Sequence, residues 1–584
     1  MLPPLPVALP MLIAAVLLTL AHVWPRRVPD TIAALTALAV TSIGLLLLLR
    51  AAGGPITYWF GQWEPRDGVV LGISFQVDQV GAAMVTLIGI LFTGSFVFAW
   101  GFFDEVHAVF HVLMLMFMAA LSGFCLTHDL FNMFVWFEVM SVAAFALTAY
   151  RLEASALEAG LNFTVTNSLA SFFMLAGIAL IYSIGGTLDF SALAGVVGRS
   201  GGNPVILASF CLLLAGLLIK AAMVPFQLWL ADAHALAPSP VCVIFSGAMV
   251  TLGLYGASKL AWQVFGSDPV IRAGAQHVML AMGVASTIVG GVMCVTQRHV
   301  KRLLAFSTIS HTGIMLIGCS IFTAQGQAGT VLYMLGHGLV KGALFMTAGI
   351  LLATCGGIDE IGLRGLGRQI RPAGIAMAGG GLLLAGAPVG LMQHGTTLIE
   401  TAAAAAGRGW VAGVMILGGA LTGGAVLRVT GRIFLGLGAL PGEEDRSPTE
   451  AEQEASDRPL WLMLTPCASL LALSLAAPSS VETFALRAIT PFIGAPAASL
   501  QSPPAASSHD YLPWLTVMLA LLIAAYDLSR QHLPGMLIAA ADASFRPLHA
   551  LLEAWHSGLV GDYVAWIVFG LALVAGCITW LAIV

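Results

Sequence analysis

Apolar stretches close to a bilayer crossing in length recur from one end of this 584-residue sequence to the other. A helix needs about 20 such residues to span the hydrocarbon. The runs are continuous, rich in Leu, Ala and Gly, and lack the two-residue alternation of barrel strands. In lipid the backbone must satisfy its own hydrogen bonds, which leaves helices. The expectation is an all-α, polytopic membrane protein with about sixteen transmembrane helices, near 5–24, 31–50, 79–102, 107–126, 129–150, 162–186, 205–229, 240–264, 275–296, 302–322, 328–354, 373–401, 409–436, 459–478, 511–529 and 561–584.

Composition removes the soluble alternative. Charged residues make up 9% of the chain and hydrophobic ones 59%, whereas a soluble domain carries about 25% charged residues. No basic patch points to nucleic acid. The eight cysteines are scattered with no C-x-x-C pair, so iron–sulfur, haem c and zinc-ribbon sites lack their spacing. No cofactor, metal or redox centre of its own is expected. Leu5–Val23 has no basic segment before it and reads as a retained first helix rather than a cleaved signal.

Two longer polar connections punctuate the chain. One, 441–458, is acidic; the other, about 480–510, is rich in Pro, Ala and Ser. The expected units are 1–106, 107–265, 275–436 and an extension over 437–584. A mildly amphipathic stretch at 531–557, with His532, Arg546, His549 and Glu553, reads as an interfacial helix. Basic residues follow the first span (Arg26, Arg27), the ninth (Arg298, Lys301, Arg302) and the eleventh (Arg364, Arg368, Arg371). They place the odd-numbered connections in the cytoplasm and the N-terminus outside the cell membrane; Arg50 and Arg66 argue the other way.

An ionisable side chain at mid-bilayer costs on the order of 3 kcal/mol on insertion scales and marks a bundle interior or a water path. Glu138 lies in the apolar run Leu130–Leu147 with no neutralising neighbour on its own helix. It is either a proton-carrying or pair-forming acid or a structural partner of a neighbouring helix. Lys220 ends Leu212–Ile219 and is followed by Pro225, which should break the helix and free carbonyls for water or cations. The alternative is a lysine snorkelling to the surface. His337 and Lys341 share one helix face and suggest a proton relay, or else helix–helix hydrogen bonding. His311 reads equally as a structural or a relay group. Glu400 reads as a water-facing acid, Lys259 as a snorkelling lysine, Lys301 and Arg302 as topology anchors. Leu217–Trp229 and Leu382–His394 echo each other as proline-interrupted apolar runs five spans apart, so they mark two inverted units around a transport site. No nucleophile triad or phosphate loop is found.

Four segments resemble the antiporter-like subunits shared by respiratory complex I, membrane-bound hydrogenases and Mrp-type sodium/proton antiporters: D-L-F-N-M-F-V-W-F-E-V-M-S (129–141), K-A-A-M-V-P-F-Q-L-W-L-A-D-A-H-A-L-A-P-S-P-V (220–241), Q-R-H-V-K-R-L-L-A-F-S-T-I-S-H-T-G (297–313) and G-H-G-L-V-K-G-A-L-F (336–345). The A-P-S-P-V…S-G-A-M-V stretch and the C-terminal H-S-G-L-V-G-D-Y-V look most like the large antiporter-like component of hydrogenase-4 and formate hydrogenlyase. The resemblance implies two inverted five-helix repeats with broken helices, other membrane subunits and soluble redox subunits as partners, and a cation path. In that path Glu138, Lys220, His337 and Lys341 match the family's functional positions. A carboxylate approaching the lysine would hold its proton, and one moving away would release it. Two positions depart from the pattern: a central lysine is replaced by Thr251, and the second broken helix carries Thr396, with His394 or Glu400 as substitutes. W-L-P is also W-L-A at Trp229–Ala231. These departures leave open a non-pumping membrane anchor, beside a redox-complex pump and an Mrp-type antiporter component.

Overall fold

The structure is a computed structural model that describes residues 2–20, 23–25, 27–66, 70–103, 108–440, 460–478, 480–494, 511–536 and 559–583, with 539, 543 and 550. The acidic segment 441–458, most of the Pro-rich connection, Arg26, and Arg546, His549 and Glu553 of the expected interfacial helix lie outside the described residues.

Twenty helices are described. The first four, α1 (Leu5–Leu20), α2 (Arg27–Arg50), α3 (Gln79–Phe102) and α4 (Ala108–Leu126), pack together. Between α2 and α3 lies a short antiparallel hairpin that the apolar pattern does not reveal, β1 (Ile56–Trp59) on β2 (Ser74–Val77), with Ile56 opposite Val77. Next come α5 (Leu130–Thr148), α6 (Ala154–Gly185), α7 (Phe190–Arg199), α8 (Pro204–Lys220), α9 (Leu228–Leu236) and α10 (Ser239–Gln263). The chain continues through α11 (Pro269–Thr296), α12 (Val300–Ser320), α13 (Ala324–Cys355), α14 (Arg371–Leu384), α15 (Gly390–Ala405) and α16 (Val411–Leu435). It closes with α17 (Trp461–Leu475), α18 (Val481–Ile493), α19 (Leu512–Ser529) and α20 (Val560–Ile583).

Twelve of these are long and apolar enough to cross a membrane, fewer than the sixteen expected. The physical reasons are local. The stretches 205–229 and 373–401 are each split in two, and α1 and α17 are 16 and 15 residues long. A second difference is α18, an amphipathic helix where a polar connection is expected. It packs against α10 and α13 rather than standing apart.

One local arrangement occurs twice. The helices α6 and α13 are each 32 residues long and each ends on a left-handed glycine, Gly186 (φ 61°) and Gly356 (φ 72°). Glycine meets no Cβ penalty there. The chain then returns to the start of the preceding helix: Asp129 bridges Asp189, and His299 bridges Asp359. Each of those helix starts is capped by a side chain. Asp129 Oδ1 accepts from Asn132 N at 2.7 Å, and His299 Nδ1 accepts from Arg302 N at 3.2 Å.

Both helix breaks sit beside this frame. After Lys220 the chain leaves helical geometry at Ala222 (φ 52°), passes a cis Val224–Pro225 bond and resumes at Leu228. Ser286 Oγ of α11 accepts from Val224 N at 2.9 Å, and Trp229 Nε1 donates back to the Ile219 carbonyl at 3.0 Å. After Leu384 the turn uses Gly386 (φ 77°) and Gly390 (φ 82°). The helix α10 crosses the first break at close range. A Cβ on Gly253 would lie 2.7 Å from both Ala221 N and Leu217 O. Backbone cannot yield that space, so Gly253→Ala should destabilise the protein by about 1–3 kcal/mol, visible as a lowered melting temperature in detergent.

Candidate functional site

The site is built on faces of α5, α6, α8, α12 and α13, apolar helices that carry polar residues inward. Glu138 is half-buried on α5. Its Oε1 is met by the Ser171 hydroxyl of α6. One turn further along α5, Ser141 donates to the Phe137 carbonyl at 2.6 Å and accepts from Lys220 Nζ at 2.6 Å. Lys220 is fully buried at the end of α8, with its ammonium 4.5 Å from the Phe137 ring centroid and 5.8 Å from that of Phe163. Among the described residues no ion pair within 4.0 Å joins Glu138 to Lys220. Ser141 instead takes the lysine's hydrogen bond, spaced on α5 so that it shares the face of Glu138. The lysine is therefore solvated by a hydroxyl and two aromatic faces.

A second group forms between α12 and α13. Lys341 Nζ donates to the Leu304 carbonyl at 2.8 Å and to the Ser307 hydroxyl. His337, one turn before Lys341, is fully buried and neither ring nitrogen has a protein partner. Its ring centroid is 5.6 Å from that of His311. His311 bridges Tyr333 Oη at 2.7 Å and Thr422 Oγ1 at 2.9 Å. The structure thus gathers His311, His337 and Lys341 into one cluster and sets Glu138 and Lys220 in another.

Between the two lies a residue that the sequence reading does not single out. His234, on α9 just past the first break, is fully buried, and neither of its nitrogens has a hydrogen-bond partner among the described residues. Its ring stacks on Phe245 at 5.8 Å and meets Phe345 edge-on at 4.8 Å. Phe245 in turn contacts Phe163, the ring beneath Lys220. The signal is present in sequence: a histidine inside an apolar segment directly after a broken helix. Nearby, Ser246 of α10 bonds Thr308 of α12 at 2.7 Å.

The two departures behave as neutral groups. Thr251 is buried and donates to the Ala248 carbonyl at 2.8 Å; Thr396 donates to the Met392 carbonyl at 3.0 Å. Near Thr396, a cavity of about 30 Å³ is lined by Tyr333, Gln393, Thr396 and Glu400, room enough for a water molecule. Glu400 therefore faces a small internal cavity. His394 Nδ1 pairs with Glu482 of α18 at 2.8 Å, so an acid from the C-terminal extension stands at the second broken helix.

Two lysines expected near the surface are inside. Lys259 is 1% exposed and donates to the Thr127 carbonyl at 2.7 Å and the Cys125 carbonyl at 3.2 Å, beyond the end of α4. Lys301 is 2% exposed and reaches the Ala235 and Ala237 carbonyls at 3.4 and 3.3 Å. Carbonyls left over at a helix end accept such donors. Arg302 pairs with Asp232 at 3.1 Å. Among the described residues no group of three His, Cys, Asp or Glu side chains is placed to hold a metal ion. Lys259→Met strips the donor on which the Thr127 carbonyl depends and should cost about 1–3 kcal/mol, measured by thermal unfolding of the purified protein.

The family described as NADH:quinone oxidoreductase/Mrp antiporter, TM, matches residues 127–422. An NADH-quinone oxidoreductase subunit of Desulforudis audaxviator is 30% identical over 319 residues, 54% of this chain and 62% of that protein. A Na(+)/H(+) antiporter subunit of Alkalihalophilus pseudofirmus is 29% identical over 367 residues, 62% of this chain and 72% of that protein. The alignment with the Desulforudis protein thus spans less than two thirds of that relative. In the structure of the membrane-bound sulfane sulfur reductase, an archaeal respiratory membrane complex, a chain 24% identical to this one superposes with a TM-score of 0.74, covering 84% of this chain and 97% of its own. At that identity the likeness shows the fold, that of a multi-pass membrane protein.

Proposed function

Because the chain belongs to the NADH:quinone oxidoreductase/Mrp antiporter transmembrane family, we propose that it is a proton-translocating, antiporter-like component of a multisubunit complex in the cell inner membrane, with its N-terminus outside. The observation that carries this reading is the pair of buried lysines, Lys220 and Lys341, each held by a serine hydroxyl instead of a carboxylate. Such an ammonium is stabilised enough to exist in the membrane, yet it is not locked by a permanent ion pair. A shift of Glu138 toward or away from Lys220 then changes how firmly the lysine keeps its proton.

The proposed path starts at Glu138, passes through Ser141 to Lys220, and continues by way of His234 to Lys341, His337 and His311. Residues 107–265 and 275–436 act as the two repeat units, inverted with respect to each other, each with one broken helix. Exit runs past Tyr333 toward Glu400, with His394 and Glu482 at the second break in the place of a lysine. Energy enters as a conformational or charge signal from a partner. A redox complex of the complex I or hydrogenase type is the first choice of assembly, with soluble subunits carrying the electron transfer; the likeness to the Alkalihalophilus antiporter protein supports an Mrp-type cation/proton antiporter as the second. The neutral side chains of Thr251 and Thr396 support a third reading, a membrane anchor that pumps nothing.

Glu138→Gln should abolish proton translocation in vesicles carrying the native complex while the chain still inserts. Ser141→Ala, which removes the link without touching either charge, should slow translocation by about 10-fold or more, in line with loss of one positioned proton-transfer group. Full translocation in both variants would leave only the anchor reading.

A further inference from the structure

The frame that ties helix ends to helix starts differs in one respect between its two copies. In the second, His299 faces Asp359, and Arg298 pairs with that carboxylate at 3.4 Å. In the first, two carboxylic residues face each other, Asp129 and Asp189. Leu130 N donates to the Leu188 carbonyl at 2.9 Å, and Phe190 N donates to the His128 carbonyl at 3.1 Å. These bonds flank the aspartates and make them a non-hydrogen-bonded antiparallel pair, the kind in which opposed side chains approach most closely. Like charges directly opposite destabilise such a pair. Each aspartate also caps a helix through Oδ1: Asp129 accepts from Asn132 N at 2.7 Å and Asp189 from Ala192 N at 3.0 Å. The caps fix both carboxyl groups and leave each Oδ2 outside the cap.

Among the described residues neither aspartate has an ion pair. The titratable groups around them are His128, Lys259 and Asp78. His128 Nε2 bonds the Ser191 hydroxyl at 2.9 Å; burial, and then Lys259, push its pKa down to about 3, so it carries no charge at neutral pH. Lys259 donates to the Thr127 and Cys125 carbonyls, and its charge acts on Asp78. Asp129 is pushed up to about 6 by burial and, against the Asn132 amide, by Asp189 opposite. Burial raises Asp189 as well. Both stand just outside the spanning helices.

The pair also meets a cleft. About 490 Å³ in volume, it lies between the hairpin and the start of α7 and is lined by Thr57, Trp59, Ser74, Gln76, His128 and Asp189. In the hairpin register Thr57 opposes Gln76 and Trp59 opposes Ser74, so the four share one face. Among the described residues no lysine or arginine lines the cleft. Ser74 and His128 are 1% and 6% exposed, yet the Ser74 hydroxyl and His128 Nδ1 have no hydrogen-bond partner among the described residues. A polar space of this size with unused hydrogen-bonding groups suits water.

We propose that Asp129 and Asp189 together hold one exchangeable proton, which they trade with water in this cleft. In uptake, a hydronium ion of the cleft gives its proton to one Oδ2, the new O–H is shared with the opposing carboxylate, and neutral water is left behind. Release is the reverse: the O–H bond breaks, hydronium forms, and both carboxylates are charged. Two carboxyls this close titrate as one unit rather than as separate residues. In the orientation proposed above the pair lies at the outer face, nine residues or about 14 Å along α5 from Glu138. What the proton is for rests on the proton-translocating reading: the pair is then the station at which the path meets water on that side. The second frame, with Arg298 on Asp359, is neutralised by the protein itself.

The test is infrared difference spectroscopy of the full chain in its native complex, in membranes, as the pH is lowered. A carboxyl C=O band should appear as the pH falls through about 6 and should shift in D2O. Asp189→Asn keeps a capping residue at the start of α7 and removes the opposing charge, so the band should appear only at lower pH. Asp129→Asn should remove or displace the same band. Thr57→Trp, which narrows the cleft and keeps both carboxyls, should slow the D2O shift. Asp189→Asn should also slow proton translocation in vesicles about 10-fold. A band unchanged in either aspartate variant overturns the proposal, and so does a D2O shift of unaltered rate in Thr57→Trp. Loss of the wild-type band on adding Ca2+ or Na+ at constant pH would make the pair a metal-cation site and overturn the proton assignment. Full translocation in Asp189→Asn, with the band altered as expected, overturns the pair's part in the path. A wild-type complex that moves no protons overturns the translocating reading alone, and the titration still decides whether the pair holds its proton.

Discussion

A charge removed from water must find replacement solvation or be neutralised, and the interior of this protein is arranged around that demand. Four lysines are buried: Lys220, Lys259, Lys301 and Lys341. Lys259 and Lys301 are solvated by carbonyls that helix ends leave unused, and so they tie one element to another. Lys220 and Lys341 are solvated through serine hydroxyls, with aromatic faces beneath the former. The first pair is fixed by rigid backbone. The second pair rests at least in part on small rotatable hydroxyls, each of which can give or take a hydrogen bond, although Lys341 also reaches the Leu304 carbonyl. One residue type thus serves architecture in one setting and, in the function proposed above, proton handling in the other.

Broken helices complete that division. A continuous helix engages its own carbonyls in its ladder, and an interrupted one frees some of them for a neighbour or for water. At the first break, Ser286 of α11 supports the irregular backbone. The Ser246–Thr308 contact works in the same sense. Helices far apart in sequence are therefore tied together beside the polar groups.

Much of this is legible in the residues. Apolar runs locate the helices, because hydrocarbon thickness leaves few other solutions. Glu138, Lys220, His337 and Lys341 stand out because a charge inside such a run is costly and so is rarely idle. Burial at run ends is harder to read. Lys259 and Lys301 look like surface lysines because sequence does not say which helix end packs against which. His234 escapes notice because its importance depends on two aromatic neighbours, Phe245 and Phe345, from other elements. Likewise Glu482 falls within a segment that reads as a loop, and only its meeting with His394 gives it meaning. Periodicity speaks for a single element; these residues act through contacts between elements far apart in the chain.

The helix α20 adds a matter of timing. It packs on α8 and α11, and Tyr563 donates to Asp232 at 3.0 Å. Gly570 presses so closely on Phe226 and Pro225 that a Cβ there would overlap the Phe226 ring. Membrane proteins enter the bilayer in the order in which they are translated, and α20 comes after every other described helix. The first break therefore spends most of synthesis without its outer wall. Until then the Pro225–Phe226 side of the break lacks the helix that covers it in the finished fold. In the function proposed above, the first half of the path would therefore be completed only at the last described insertion step.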